Sequence, residues 1–147
     1  MAFARLAASH GDYSEAVAAA TTAANLFPDS EHALAVLAAA TKAAGNFAQA
    51  AELADRLVAM APMSVPYRLD RANVHMRTAN WAAAEADARA ALKLMPLSLE
   101  ARAVLAISLT RQGDEAAGRR EIDAAVGLAG NQQQKQALRN WYAEMTR

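Results

Sequence analysis

Residues 45–62, GNFAQAAELADRLVAMAP, contain a pattern that the chain repeats along its length. It returns as GDYSEAVAAATTAANLFP at 11–28, ANWAAAEADARAALKLMP at 79–96 and GDEAAGRREIDAAVGLAG at 113–130, with a step of 34 residues each time. A step of this length is typical of helix–turn–helix units that bury their apolar faces by stacking on one another. The sequence therefore predicts an all-α chain of repeated helical pairs.

The recurring positions have physical reasons. A small residue closes the first helix of each unit, where glycine is favoured because the chain leaves the helix in a left-handed conformation; these residues are Gly11, Gly45, Ala79 and Gly113. Because alanine adopts that conformation less readily, we expect a less ideal turn at Ala79. A proline ends the second helix of three units, at Pro28, Pro62 and Pro96.

Other positions of the repeat predict how the two helices pack. An aromatic residue opens the second helix at Tyr13, Phe47 and Trp81, and we expect its ring to lie against the first helix. Small residues recur where the helices must cross: Ala4, Ala38, Ala72 and Ala106 on the first helices, and Ala16, Ala50, Ala84 and Gly118 on the second. Helix axes that meet without bulk between them approach to about 8 Å.

In these residues the chain resembles the tetratricopeptide repeat family over nearly its whole length. The resemblance implies a right-handed α-solenoid of about four 34-residue repeats with a C-terminal capping helix. The expected parts of this single domain, residues 1–147, are a truncated repeat one at 1–30, repeats at 31–64, 65–98 and 99–131, and the capping helix at 132–147. Met1 would fall inside the first helix of repeat one, which favours a piece of a longer chain over a short opening helix.

The amino-acid composition argues against several classes of function. Fifteen basic and fifteen acidic residues give no net charge, so the basic face typical of nucleic-acid binding is not expected. No apolar run approaches the 20 or so residues of a membrane span, and a cytoplasmic location is favoured. The chain has no cysteine, which excludes disulfides and thiol catalysis.

Catalytic groups are not apparent in the sequence. His10, His32 and His75 lie in different repeats without a second ligand at helical spacing, so no metal or other cofactor is expected. The acidic pairs Glu52 with Asp55 and Glu85 with Asp87 are interpreted as solvated helix faces. We therefore expect a protein that is not an enzyme.

The family resemblance implies a concave binding groove instead. It places five positions of each first helix on the inner side: His32, Ala35, Ala39, Lys42 and Ala43; Pro66, Leu69, Asn73, Met76 and Arg77; Glu100, Ala103, Ile107, Thr110 and Arg111. The expected groove residues are Ala35, Ala39, Lys42, Leu69, Asn73, Met76, Arg77, Ala103, Ile107 and Arg111. An apolar floor with a basic edge suits a peptide or helical segment of a partner protein that carries apolar anchors and an acid or two.

One subclass of the family grips terminal carboxylates of chaperone tails with basic and amide groups. The matching positions here carry Ala35, Val36, Ala39, Pro66 and Asp70, so such a receptor is not expected. Asn73 alone fits, because an amide at an inward position can pair with a peptide backbone.

Three arginines stand apart from the repeat pattern. Arg68, Arg71 and Arg102 occupy positions near the helix–helix packing, and two of these positions usually carry apolar groups. They are interpreted as structural, either extending past the small alanines or pairing with Asp70, Asp87 or Glu100. The alternative is a second, convex binding patch.

Two other functions remain open at this level. The chain could serve as an accessory domain of a larger enzyme, or as a scaffold that associates weakly with itself. Residues 1–64 carry three basic against six acidic groups, a net of −3, and residues 65–147 carry twelve against nine, a net of +3. This difference is interpreted as variation of the surface charge; the alternative is that opposite charges at the two ends help copies to stack head to tail.

Overall fold

The computed structural model describes residues 13–147, which form eight α-helices without a β-strand. They are α1 (Tyr13–Leu26), α2 (Glu31–Ala43), α3 (Phe47–Met60), α4 (Val65–Arg77), α5 (Trp81–Leu94), α6 (Leu99–Arg111), α7 (Glu115–Leu128) and α8 (Gln132–Met145). The predicted fold class, an all-α chain of helical pairs, is confirmed. The expectations for the opening helix, including Ala4, His10 and Gly11, lie outside the described residues.

Two compact units divide the chain, residues 1–67 and 68–147, and the division falls within α4. In the described part of the first unit, α2 packs against both α1 and α3. Its core places alanines of α1 against leucines of α2 and α3; the residues are Ala16, Ala20, Ala24, Leu34, Leu37, Leu53 and Leu57. Arg56 also donates a 3.3 Å hydrogen bond to the Pro28 carbonyl, and the Tyr67 hydroxyl lies 2.6 Å from Glu31 Oε1.

In the second unit α6 is the central helix, with contacts to α5, α7 and α8. Eight of its thirteen residues are buried. The approach of α7 is very close, because a Cβ atom built on Gly118 would lie 1.9 Å from Thr110 Oγ1 and 2.8 Å from the Ala106 carbonyl oxygen. The predicted contact of small residues is therefore present between α6 and α7, with glycine as the only residue that fits there.

The turns after α2, α4 and α6 share one backbone conformation. Gly45, Ala79 and Gly113 have φ angles of 80°, 57° and 98°, all in the left-handed region. Alanine thus adopts, at some cost, the conformation that glycine adopts freely in the other two turns. The residue after each of them, Asn46, Asn80 or Asp114, caps the next helix by accepting a hydrogen bond from a free amide of its first turn.

Capping residues and prolines lie at the helix ends. Ser30 caps α2, and Pro66 lies in the first turn of α4, where its missing amide hydrogen does no harm. Pro28, Pro62 and Pro96 each follow the last residue of a second helix by two positions. Among the described residues, no helix has the length and apolar character needed to cross a membrane.

The turn conformation makes a stability prediction. Gly45→Ala should lower the free energy of unfolding by about 1 kcal/mol, because the new methyl group meets no atom within 4 Å and only the backbone strain remains. Ala79→Gly should raise it, by up to about 1 kcal/mol, because the strain is relieved at the cost of chain entropy.

Gly127→Ala is the matched control for these turn variants. Gly127 lies inside α7, has no heavy atom within 4 Å of a built Cβ, and should gain about 0.5 kcal/mol from alanine through helix propensity. Urea unfolding of the three variants measures the differences. A Gly45→Ala variant as stable as the parent would contradict the role given to the turn.

Candidate functional site

The predicted groove residues of α2, in the first unit, differ in their exposure to solvent. His32 and Ala39 are exposed, while Ala35 and Lys42 are half-buried, and Ala35 packs against the core of this unit. The helix thus presents small and polar side chains at these positions.

Four predicted apolar groove residues of the second unit are buried instead. Leu69 and Met76 are 6% and 5% exposed, and Ala103 and Ile107 have no accessible surface. An open apolar floor at these positions, as expected from the sequence, is therefore absent from the packed chain. Contact of these side chains with a partner stays a prediction, and it would require the groups that cover them to move.

The C-terminal helix α8 packs against the buried clusters that contain the apolar inward residues of α6. Leu138, Trp141 and Tyr142 pack against a buried cluster that contains Ala103, and Trp141, Tyr142 and Met145 pack against a cluster that contains Ile107. The Tyr142 hydroxyl also forms a 2.7 Å hydrogen bond with Thr110 Oγ1. These four side chains form an apolar stripe along α8, whereas Ala137 is exposed.

Polar inward residues of the second unit remain partly accessible. Asn73 is half-buried and donates a 3.2 Å hydrogen bond from Nδ2 to Glu100 Oε1. Arg111 lies over the Trp81 ring, 4.9 Å from its centroid, and donates to the main-chain oxygen of Arg147 at 3.2 Å. Arg77 is exposed. Arg111 is thus held in place by its neighbours, and the amide of Asn73 is already engaged.

Two of the three arginines that stood apart from the repeat pattern, Arg68 and Arg71, lie beside one buried carboxylate. Arg71 donates two hydrogen bonds to Asp87, at 2.8 and 2.7 Å, and Arg68 and His75 Nε2 lie 3.9 and 4.0 Å from it. Asp87 is only 3% exposed. Its interpretation as part of a solvated face is wrong, whereas the predicted pairing of these arginines with Asp87 is confirmed.

Arg102 has a different partner from those expected. Its Nη1 donates to Glu121 at 3.0 Å and its Nη2 donates to the Pro96 carbonyl at 3.2 Å. The sequence offered Asp70, Asp87 and Glu100 as partners, but the facing residue of α7 could be identified only once the rotation of that helix was known. Arg71 and Arg102 therefore join adjacent helices within the second unit.

Glu85 links α5 to the end of α6. It accepts 2.7 Å hydrogen bonds from Arg89 and from the side-chain amide of Gln112. Partial burial works against ionisation, but these two bonds and the charge of Arg89 outweigh it and hold the pKa of Glu85 below its ordinary value of 4.5. The hydrogen bond between Glu85 and Gln112 is another structural contact that the sequence did not reveal.

Metal ligation finds no support in residues 13–147, where no three His, Asp or Glu side chains gather into a group that could hold an ion. The charged groups of the second unit instead form ion pairs and hydrogen bonds between neighbouring helices, at Asp87, Glu85 and Glu121. These contacts position neighbouring helices of the second unit relative to one another.

Comparison with known proteins agrees with this fold. A family model described as tetratricopeptide repeat matches residues 7–69. The crystal structure of MamA superposes with a TM-score of 0.80 at 15% identity, covering 99% of this chain and 91% of that chain. TTC0263, a thermophilic TPR protein of Thermus thermophilus, gives a TM-score of 0.76 at 23% identity, covering 97% and 77%.

A third similar structure belongs to a mutant O-GlcNAc transferase of Thermobaculum terrenum. The TM-score is 0.71 at 26% identity, and the match covers 84% of this chain but only 24% of the transferase chain. The comparison with curated proteins finds no match.

Fold and site together define a helical-repeat protein of the α-solenoid class. Residues 7–69 match the tetratricopeptide repeat family, and the described helices have the fold of known tetratricopeptide repeat proteins such as TTC0263. Proteins of this family are generally scaffolds for protein–protein interaction, and the family match suggests such a scaffold here.

The buried carboxylate of the second unit generates a stability prediction. Arg71→Met should lower the free energy of unfolding by about 3 kcal/mol, because it leaves Asp87 buried without its bidentate partner. Arg71→Met combined with Asp87→Leu should recover most of that loss, since no buried charge remains. Thermal and urea unfolding of the singles and the double measure the coupling.

Arg89→Met is the control for this pair. Arg89 is 54% exposed and pairs with Glu85 on the surface of α5, so its loss should cost less than about 1 kcal/mol. Equal losses for Arg71→Met and Arg89→Met would show that burial of Asp87 does not matter.

Glu85 should contribute a pH-dependent part of the stability. A carboxyl whose pKa is lower in the folded chain stabilises above its unfolded pKa, and the contribution disappears as the pH falls through the folded value. The parent chain should therefore exceed Glu85→Gln in stability at neutral pH, and the difference should shrink as the pH falls below 4.5. Urea unfolding from neutral pH down to about pH 3 measures the two curves; a constant difference would contradict the assignment.

Proposed function

We propose that this protein binds a peptide or helical segment of a partner protein along the inward positions of its first helices, without catalysing a reaction. The observation that carries the proposal is that these helices keep accessible side chains at inward positions. They are His32 and Ala39 on α2, Asn73 and Arg77 on α4, and Glu100 and Arg111 on α6, which we call the inward row.

The chemistry of these residues suggests which partners fit. Ala39 leaves space for an approaching backbone, and the Asn73 amide can exchange its bond to Glu100 for one to a peptide carbonyl. Arg77 and Arg111 lie in the last turns of α4 and α6, where they would attract an acidic side chain. A segment with small or apolar groups and one or two acids suits this row.

Rigidity supports binding as well. Buried packing fixes α6, and the ion pair of Arg71 with Asp87 fixes α4 against α5. A preorganised surface does not lose side-chain and backbone entropy when it binds, so the ligand bears most of the ordering cost.

A second candidate is an accessory module of an enzyme. The observation that favours it is the match to the Thermobaculum terrenum transferase, in which a region like this chain makes up about a quarter of a longer enzyme chain. The inward row would then hold a segment of the same polypeptide or of its substrate. An immunoblot that finds the native protein at several times 15.5 kDa would support this candidate.

Blocking the inward row tests the main proposal. Ala39→Arg with Asn73→Arg places two long side chains at accessible inward positions, one in each unit, and should reduce capture of a partner from lysate of the source organism by about tenfold or more. Quantitative mass spectrometry of captured proteins measures the effect.

Ala48→Arg with Ala82→Arg is the matched control, because it adds the same charge at exposed positions near the start of the second helices. Circular dichroism should show that both double variants remain folded. If the inward and control variants capture the same partner equally well, the inward row is not the binding surface.

A further inference from the structure

The helix α8 is attached to the second unit less firmly than the other helices of that unit. None of its residues is fully buried, whereas α6 has eight buried residues. It is held by one apolar stripe of half-buried side chains: Leu138, Trp141, Tyr142 and Met145. A helix of 14 residues is marginal in water by itself, so α8 is ordered mainly by this contact.

The surface beneath α8 is an apolar trough between α6 and α7. We define the α6–α7 trough by five buried residues, which belong to the clusters against which the stripe packs: Ala103, Ala106, Ile107, Ile122 and Ala125. Three of the five are alanines, whose small side chains leave room for the aromatic rings of the stripe. Without α8 this apolar surface would face water, so some helix is needed to cover it.

A polar group at the rim of the trough adds specificity. Thr110 Oγ1 bonds the Tyr142 hydroxyl, and it occupies the space that a Cβ atom on residue 118 would need. The corresponding position in the other repeats is Ala16, Ala50 or Ala84. Gly118 therefore makes room for the hydroxyl that receives a phenol.

We propose that the α6–α7 trough is a helix-binding site, that α8 is its tethered and displaceable occupant, and that a partner protein binds by placing there an amphipathic helix with the spacing Leu-x₂-Trp-Tyr-x₂-Met. This rests on the proposed function, since it explains how the covered inward residues Ala103 and Ile107 become available. It also names the class of partner: a helix with two adjacent aromatic anchors, of the kind that dominate binding energy in helix-in-groove complexes.

The tether determines when binding occurs. Three residues, 129–131, join α7 to α8, and a short tether holds a segment at a high effective concentration. A partner helix must therefore bind more tightly than α8 or act when α8 has opened. Helices that bind the trough weakly therefore cannot displace α8, whereas helices that carry the same apolar anchors and the tyrosine hydroxyl can.

Hydrogen exchange on the full chain is the first test. Backbone amides of α8 should exchange through local opening, with protection about a hundredfold lower than that of buried α6 amides. Equal protection in α6 and α8 would show that α8 leaves only when the whole unit unfolds, and would overturn the proposal.

Binding in trans is the second test. The probe is a fluorescein-labelled peptide of residues 132–147, added to the full chain carrying Trp141→Ala and Tyr142→Ala, which weakens the tethered helix. We expect saturable binding, at least about tenfold tighter than to the parent chain. A chain with the exposed residues Gln133→Ala and Arg139→Ala is the control and should behave like the parent.

A double-mutant cycle identifies the site of binding. In the weakened chain, Thr110→Val should reduce affinity for the parent peptide by about threefold to tenfold and should not change affinity for a peptide with Tyr142→Phe. Additive effects would place the peptide elsewhere. If the Ala39 and Asn73 variants block capture while the peptide fails to bind, the proposed function holds and this inference fails.

Self-association is the other outcome to be separated. Sedimentation over a concentration series compares the parent chain with the variant Trp141→Ala, Tyr142→Ala. We expect no dimer of the parent chain that disappears in the variant. Such a dimer would mean that α8 of a second copy occupies the trough, and would overturn its assignment to a partner protein.

Discussion

The reversal of the chain after each first helix is the constraint on which the repeats depend. Gly45, Ala79 and Gly113 adopt a left-handed conformation, and the next residue caps the following helix. This turn determines that the second helix returns along the first, so the apolar faces of the pair meet. Ala79 shows that packing can impose the conformation on a residue that disfavours it, since the helices on either side are intact.

Close packing within the second unit follows from the same geometry. Because α6 and α7 run back along each other, their crossing brings residue 118 into close contact with Thr110, and only glycine fits. The contact fixes the Thr110 hydroxyl, which in turn meets Tyr142 of α8. The close approach of α6 and α7 at Gly118 thus places the Thr110 hydroxyl where it can bond Tyr142 of the third helix, α8.

Charged residues within the second unit are used chiefly between helices. Asp87 is buried and bonded by Arg71, Arg102 joins Glu121, and Glu85 accepts from Gln112. Buried or half-buried ion pairs of this kind add little net stability but penalise any other packing, because misplacing one partner leaves a charge without compensation. They hold the first helices in a fixed position, as a preorganised binding surface requires.

The sequence by itself determined the fold class, because a 34-residue repeat with small residues and prolines at fixed positions is a local property of the chain. Only the tertiary structure decided which inward residues are accessible. Ile107 and Ala103 satisfy the inward pattern but lie beneath α8, and Asp87 looks solvated but is enclosed by arginines. The exposure of a side chain and the identity of its bonding partner depend on how neighbouring helices are rotated and offset. The periodicity of a single helix carries no information about that rotation and offset.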